Sequence, residues 1–116
     1  PAWINYVEKS RPDLIPHLSS CRSPLSMLSS VIKNIFPKKI GVSKDDIYNV
    51  AIMPCTAKKD EIKRPQLNGE TDAVITSREL AAMIQEAGIV FEELEETELD
   101  TIYSEYTGGG AIFCAT

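Results

Sequence analysis

One nine-residue block constrains this chain more than any other: "MPCTAKKDE", Met53 to Glu61, follows the apolar run "IYNVAI" without a break. Ile47 to Met53 is almost continuously apolar, the pattern of a strand buried on both faces in a parallel sheet rather than an alternating surface strand. Pro54 fixes the backbone leaving that strand, and Cys55 then falls at its carboxyl end, where open α/β sheets commonly place ligands. Thr56 is expected to cap the next turn, which brings the sulfur near amide N–H groups and near Lys58 and Lys59. Positive potential there favours thiolate, which is both the nucleophilic and the metal-binding form of cysteine. A small packed hydrophobe, a nucleophile and a metal ligand all remain open for Cys55 on the residues alone.

The flanking segments give the context. Ala2 onward reads as a short helix with Trp3, Tyr6 and Val7 on one face, broken around Pro12 and Pro16, so that "LSSCRSP" is a loop. Ser23 followed by Pro24 is a helix start, a capping hydroxyl with proline at the first helical position. Leu25, Leu28, Ile32 and Ile35 or Phe36 then recur at helical spacing and predict a helix packed on a core and ending before Pro37 and Gly41. A second strand is expected over Asp72 to Thr76, followed by a helix capped by Ser77 and stopped at Gly88. The alternation of helix and strand predicts an α/β fold with a partial mixed or parallel sheet flanked by helices. A third apolar run, "AIFCA", has nothing after it to complete a crossover, so the fold is expected to be cut off at Thr116. The acidic run "FEELEETELD" reads as a solvated loop or short helix.

Other chemistries are narrower. The chain has 116 residues, 17 Asp plus Glu against 12 Lys plus Arg, and a formal net charge of -5, which argues against a nucleic-acid or anionic-membrane surface. No apolar run approaches the ~20 residues of a membrane span, and no signal segment opens the chain, so a cytoplasmic location is expected. Its three cysteines, Cys21, Cys55 and Cys114, lack C-x-x-C spacing, and a self-contained zinc or iron-sulfur site normally takes about four ligands. Any cluster must therefore borrow ligands. A cysteine hydrolase needs a base, and the sole histidine, His17, lies on a proline-flanked segment. The tract "YTGGGAIFCAT" is not a phosphate loop, because no Lys-Ser/Thr pair follows Gly110.

Taken together, "LSSCRSP", "MPCTAKKDE", "RPQ", "DAVITSREL" and "EYTGGGAIFCAT" resemble, in order and spacing, the catalytic domain of iron-only (diiron) hydrogenases. The family's "MPC-x-x-K-x-x-E" pattern is complete from Met53 through Glu61, and "PAW" at Pro1 to Trp3 resembles the end of the family's first cysteine motif, so the resemblance implies that residues 1–116 are part of one catalytic domain truncated at both ends. The resemblance implies reversible reduction of protons to molecular hydrogen at a diiron site with carbonyl and cyanide ligands, bridged by a cysteine sulfur to a 4Fe-4S cubane. It implies that Cys55 is one of four cubane cysteines and the single one present in this stretch. Lys58 would donate to a cyanide, Met53 would pack over the diiron unit, Pro54 would shape the cavity wall, and Ser23 and Pro24 would line it. Ser19 matches the serine of the family's proton path, and Glu61 orders the block by local hydrogen bonding. Ferredoxin or another electron carrier and hydrogenase maturation proteins are the implied partners. Leu25 stands where the family usually carries a polar residue, and Cys114 where it carries glycine; Cys21 and Cys114 read as packing residues. Leu25 keeps a sensory homologue open. A non-catalytic iron-sulfur assembly protein of the hydrogenase-like branch is the third reading, against which Lys58 and the intact block argue.

Overall fold

The computed structural model describes residues 1–98 and 100. Its sheet consists of two parallel strands, β1 (Val50–Ile52) and β2 (Ala73–Ile75), in the register Val50 to Ala73, Ala51 to Val74 and Ile52 to Ile75. Around them lie α1 (Ala2–Ser10), α2 (Pro24–Asn34), α3 (Phe36–Ile40), α4 (Ala57–Glu61) and α5 (Ser77–Glu86), so the predicted α/β class and the parallel pairing both hold. Among the described residues no helix is long and apolar enough to cross a membrane. The "AIFCA" run, the glycine tract and Cys114 lie outside the described residues.

β1 is shorter than the apolar run that predicts it, and it is not buried on both faces. Upstream of it side chains take over part of the pairing: the Lys33 ammonium donates to the Ile47 carbonyl and the Asn49 amide donates to Asp72 Oδ2 at 2.6 Å, while the Asn49 carbonyl accepts the Asp72 and Ala73 amides at 2.9 and 3.3 Å. Within it the exposure alternates, with Ala51 buried while Val50 and Ile52 are 44% and 52% exposed. The covered face packs Ala51 and Val74 against Leu25, with Met53 and Ile62 at the margin.

The helices correct the sequence reading in three places. In α1, Val7 is fully buried, whereas Trp3 and Tyr6 stay exposed and stack on each other with centroids 5.8 Å apart. The helix breaks where the prolines fall, with a 3-10 turn over Pro12–His17, and residues 18–23 form the expected loop. α2 starts where predicted, with Ser23 Oγ accepting from the Ser26 amide and Pro24 in the first turn. Its inner face is Leu25, Ser26 and Ser29, however, while Leu28 and Ile35 are 53% and 56% exposed. Those serines are buried at little cost because each has a partner: Thr71 Oγ1 donates to Ser29 Oγ at 2.6 Å, and Ser26 Oγ donates to Glu61 at 2.9 Å. α2 ends before Pro37 as expected, and a separate short helix, α3, carries that proline and stops at Gly41, whose φ of 74° is left-handed. The cap of α5 is Thr76, not Ser77: Thr76 and Glu79 form a reciprocal capping box. Gly88 ends that helical segment with φ 68°, and the described part of the acidic run is exposed, with one 3-10 turn at Phe91–Glu93.

Candidate functional site: the strand end and the Glu61 cluster

The Met53 amide extends the pairing by donating to the Ile75 carbonyl at 2.9 Å. Pro54, which has no N–H to give, ends it. Cys55 comes next, and its thiol is free and exposed at the carboxyl end of β1, where the sequence places it. The Cys55 carbonyl accepts from the Lys58 amide at 3.2 Å and so begins the turn into α4.

The electrostatics around the thiol differ from expectation. Thr56 makes no side-chain cap to α4. Lys58 Nζ lies 2.8 Å from Glu61 Oε2, and Lys59 Nζ lies 2.5 Å from Glu79 Oε1. Both ammonium groups thus face carboxylates that offset the positive potential predicted at the sulfur.

Glu61 is the centre of the arrangement. It is 7% exposed and accepts three side-chain bonds, from Ser23 Oγ, from Ser26 Oγ at 2.9 Å and from Lys58 Nζ at 2.8 Å. Burial alone pushes its carboxyl up; the bonds from Lys58, Ser23 and Ser26 and the Lys58 charge outweigh that, and it titrates below the ordinary carboxylate range. The donors come from the start of α2 and the first turn of α4, so one carboxylate ties the loop before α2 to the Met53–Glu61 block.

Of the remaining predicted residues, Ser23 lines one cavity and Pro24 and Met53 line another. Ser23, Glu61, Cys21 and Arg64 line one of about 240 Å³; Pro24, Leu25, Ile52 and Met53 line an apolar one of about 350 Å³. Met53 and Pro24 are thereby brought together, and Leu25 is a buried core residue bordering the same groove. Pro54 is exposed. Ser19 stands apart from the Glu61 cluster: it is exposed, and its Oγ accepts from the Cys21 amide at 3.1 Å. Cys21 is exposed rather than packed, a correction that follows from its place in a loop whose neighbouring Arg22 is drawn to Glu70 at 2.7 Å. Sequence reasoning passed over Ser26 and Glu70. The signal for Ser26 was present, since serines at 23, 26 and 29 on one helix need acceptors when that face turns inward; nothing local marks Glu70.

Among the described residues no three His, Cys, Asp or Glu side chains gather to hold a metal ion. The donor set therefore fits one corner of a larger thiolate-ligated group: one accessible thiol, with an ammonium anchored three residues on.

The chain is similar to known proteins in sequence and in backbone. The family model described as "Iron only hydrogenase large subunit, C-terminal domain" matches residues 1–116. The periplasmic Fe hydrogenase large subunit of Nitratidesulfovibrio vulgaris is 41% identical over 120 residues, covering 100% of this chain and 28% of that protein. The cytosolic Fe-S cluster assembly factor NAR1 of Sclerotinia sclerotiorum is 37% identical over 113 residues, covering 87% of this chain and 20% of that one. A solved structure of the FeFe-hydrogenase HydA1 from Chlamydomonas reinhardtii superposes with a TM-score of 0.80 at 43% identity, covering 87% of this chain and 26% of the other. The chain thus spans between a fifth and a little over a quarter of each of these proteins. A family match along the whole chain, two relatives of substantial identity and a shared backbone lead to one conclusion: the chain belongs to the iron-only hydrogenase family, within the C-terminal domain of its large subunits.

Proposed function

We propose that the chain is part of the catalytic domain of an iron-only hydrogenase, which interconverts protons and electrons with molecular hydrogen. The observation that carries this reading is the Met53–Glu61 block, folded so that the Cys55 thiol is free at the strand end while Lys58 is held by Glu61. When bound, a 4Fe-4S cubane and a diiron unit with carbonyl and cyanide ligands supply electron storage and the metal centre. Cys55 provides one thiolate to that cubane. Lys58 offers N–H groups to an anionic ligand, Met53 and Pro24 give an apolar wall, and Pro54 sets the chain's exit from the strand. Ser23, which lines a cavity beside Glu61, would border that group, and Ser19 is a candidate proton carrier, since a hydroxyl can accept and donate. A ferredoxin or another electron carrier and hydrogenase maturation proteins are the partners this reading requires. The exposed free thiols of Cys21 and Cys55 suit a reducing cytoplasm, although one relative is periplasmic by name and the other cytosolic.

The likeness to the assembly factor supports a second reading, an iron-sulfur protein without hydrogen turnover. The two separate in the complete protein that carries this chain, matured with its metal groups. Hydrogenase function is expected to give hydrogen from reduced viologen together with carbonyl and cyanide infrared bands. Cys55→Ser is expected to lose the cubane absorption, because a hydroxyl is a poor substitute for a soft thiolate on iron. Lys58→Asn is expected to keep the cubane and lose retention of the diiron unit by on the order of ten- to a hundredfold. A protein that carries a cubane but shows neither infrared bands nor hydrogen would overturn the catalytic reading in favour of the second.

A further inference from the structure

Glu61 is the one charged side chain that is buried among the described residues. Burying a charge is costly unless it is fully paired, so its bonds have to be accounted for proton by proton. Ser23 has a single hydroxyl proton and gives it to Glu61 Oε1, while its oxygen accepts the Ser26 amide at 3.3 Å. Ser26 also gives its proton to Oε1, at 2.9 Å. Neither serine has a proton left for a ligand. Lys58 gives one N–H to Oε2 and keeps two, since an ammonium carries three. The side chain of Lys58 is itself only 14% exposed, so its direction is fixed by Glu61 rather than by solvent. Among the side-chain donors of the cluster, the remaining N–H groups of Lys58 are the uncommitted ones.

We propose that Glu61 is a positioning residue that aims Lys58 at an anionic ligand of the iron group and silences Ser23 and Ser26 as competing donors. The inference rests on the hydrogenase reading above. The Glu61 oxygens are occupied by Ser23, Ser26 and Lys58, so it acts through Lys58. A carboxylate that merely joined α2 to α4 would contribute to stability and leave the bound group's spectrum alone.

The test uses the complete matured protein as wild type, Glu61→Gln, Lys58→Asn and the double variant. Cubane absorption, iron content, infrared bands and the thermal midpoint are recorded on each. Glutamine can still accept from Ser23 and Ser26 but cannot offer Lys58 a charge. Glu61→Gln is expected to keep the cubane, displace or broaden the cyanide bands and reduce diiron retention by on the order of tenfold. In the Lys58→Asn background the same change is expected to add nothing to either readout, and this comparison holds even if Glu61→Gln alone folds poorly. Unmoved cyanide bands in Glu61→Gln, with only the thermal midpoint lowered, would overturn the proposal, as would effects that add in the double variant. A wild-type protein without carbonyl and cyanide bands would remove the hydrogenase reading first and this inference with it.

Discussion

Asp72 shows how much of this fold is decided by single side chains. Its Oδ2 lies 2.8 Å from Lys33 Nζ and accepts the Asn49 amide at 2.6 Å, so one oxygen joins the middle of the molecule to α2 and to the approach to β1. Burial pushes this carboxyl up, but the bonds from Lys33 and Asn49 and the lysine charge pull it further down, below the ordinary range. A folded-state value beneath the unfolded one means that the contribution is present above the unfolded value and is lost as pH falls through the folded one. Glu61 acts in the same direction. Stability is therefore expected to be level near neutrality and to decline below about pH 4. Asp72→Asn is expected to lower it at neutral pH by about 1 to 2 kcal/mol and to flatten that decline. Urea midpoints across a pH series check both, and an acid limb as steep in the variant as in wild type would mean that the Lys33 pairing does not stabilise the native state. None of this is legible in the sequence, where Asp72 is simply the polar residue before an apolar triplet. Its partner is distant in the chain, and the choice is made by tertiary packing.

Elements were legible where their signals are local. Ser23-Pro24 marks the start of α2 because both the cap and the fixed φ act within one turn. The start of α5 was misplaced by one residue for an equally local reason: Thr76 and Ser77 are both competent caps, and the deciding partner is Glu79, three residues after Thr76. Thr76 Oγ1 accepts the Glu79 amide at 3.2 Å, and Glu79 Oε2 accepts the Thr76 amide at 2.7 Å. Thr76→Ala is expected to cost about 1 kcal/mol, and Ser77→Ala, at an exposed first-turn position, less than about 0.5 kcal/mol. Denaturation midpoints of the two variants compare them directly; a larger loss from Ser77→Ala would move the cap to the residue the sequence first indicates. The inner face of α2 was misread for a different reason. Helical periodicity selects Leu25, Leu28 and Ile32, but Glu61 and Thr71 offer partners to Ser26 and Ser29, and the helix turns those serines inward. Hydrophobic spacing carries no record of such partners.

At the scale of the molecule, the candidate site is half a site in chemical terms. The Met53–Glu61 block was legible because strand, proline, thiol and lysine are adjacent in sequence, and the fold keeps them adjacent at the end of β1. The Lys58–Glu61 pair is legible as well, since the two stand three residues apart on α4; what the sequence did not reveal is that Ser23 and Ser26 share that carboxylate, because they become its neighbours only when α2 and α4 pack. Outside that cluster the apolar groove is lined by Val50, Leu28 and Ile52, which are 44%, 53% and 52% exposed. The ligand inventory is equally partial: the whole chain holds three cysteines, and among the described residues no three metal-binding side chains converge. A cubane held by cysteines takes about four thiolates. The 116-residue chain by itself, reduced and supplied with ferrous iron and sulfide, is therefore expected to form no stoichiometric cluster that survives a chelator. Visible charge-transfer absorption and iron-to-protein ratio, measured before and after chelation and again on Cys55→Ser, provide the check. Transient absorption that the chelator removes fits a lone accessible thiolate. A chelator-resistant 4Fe-4S cluster on the wild-type chain would mean that the ligand set is complete within these residues and that Cys55 does not share its cluster with cysteines elsewhere.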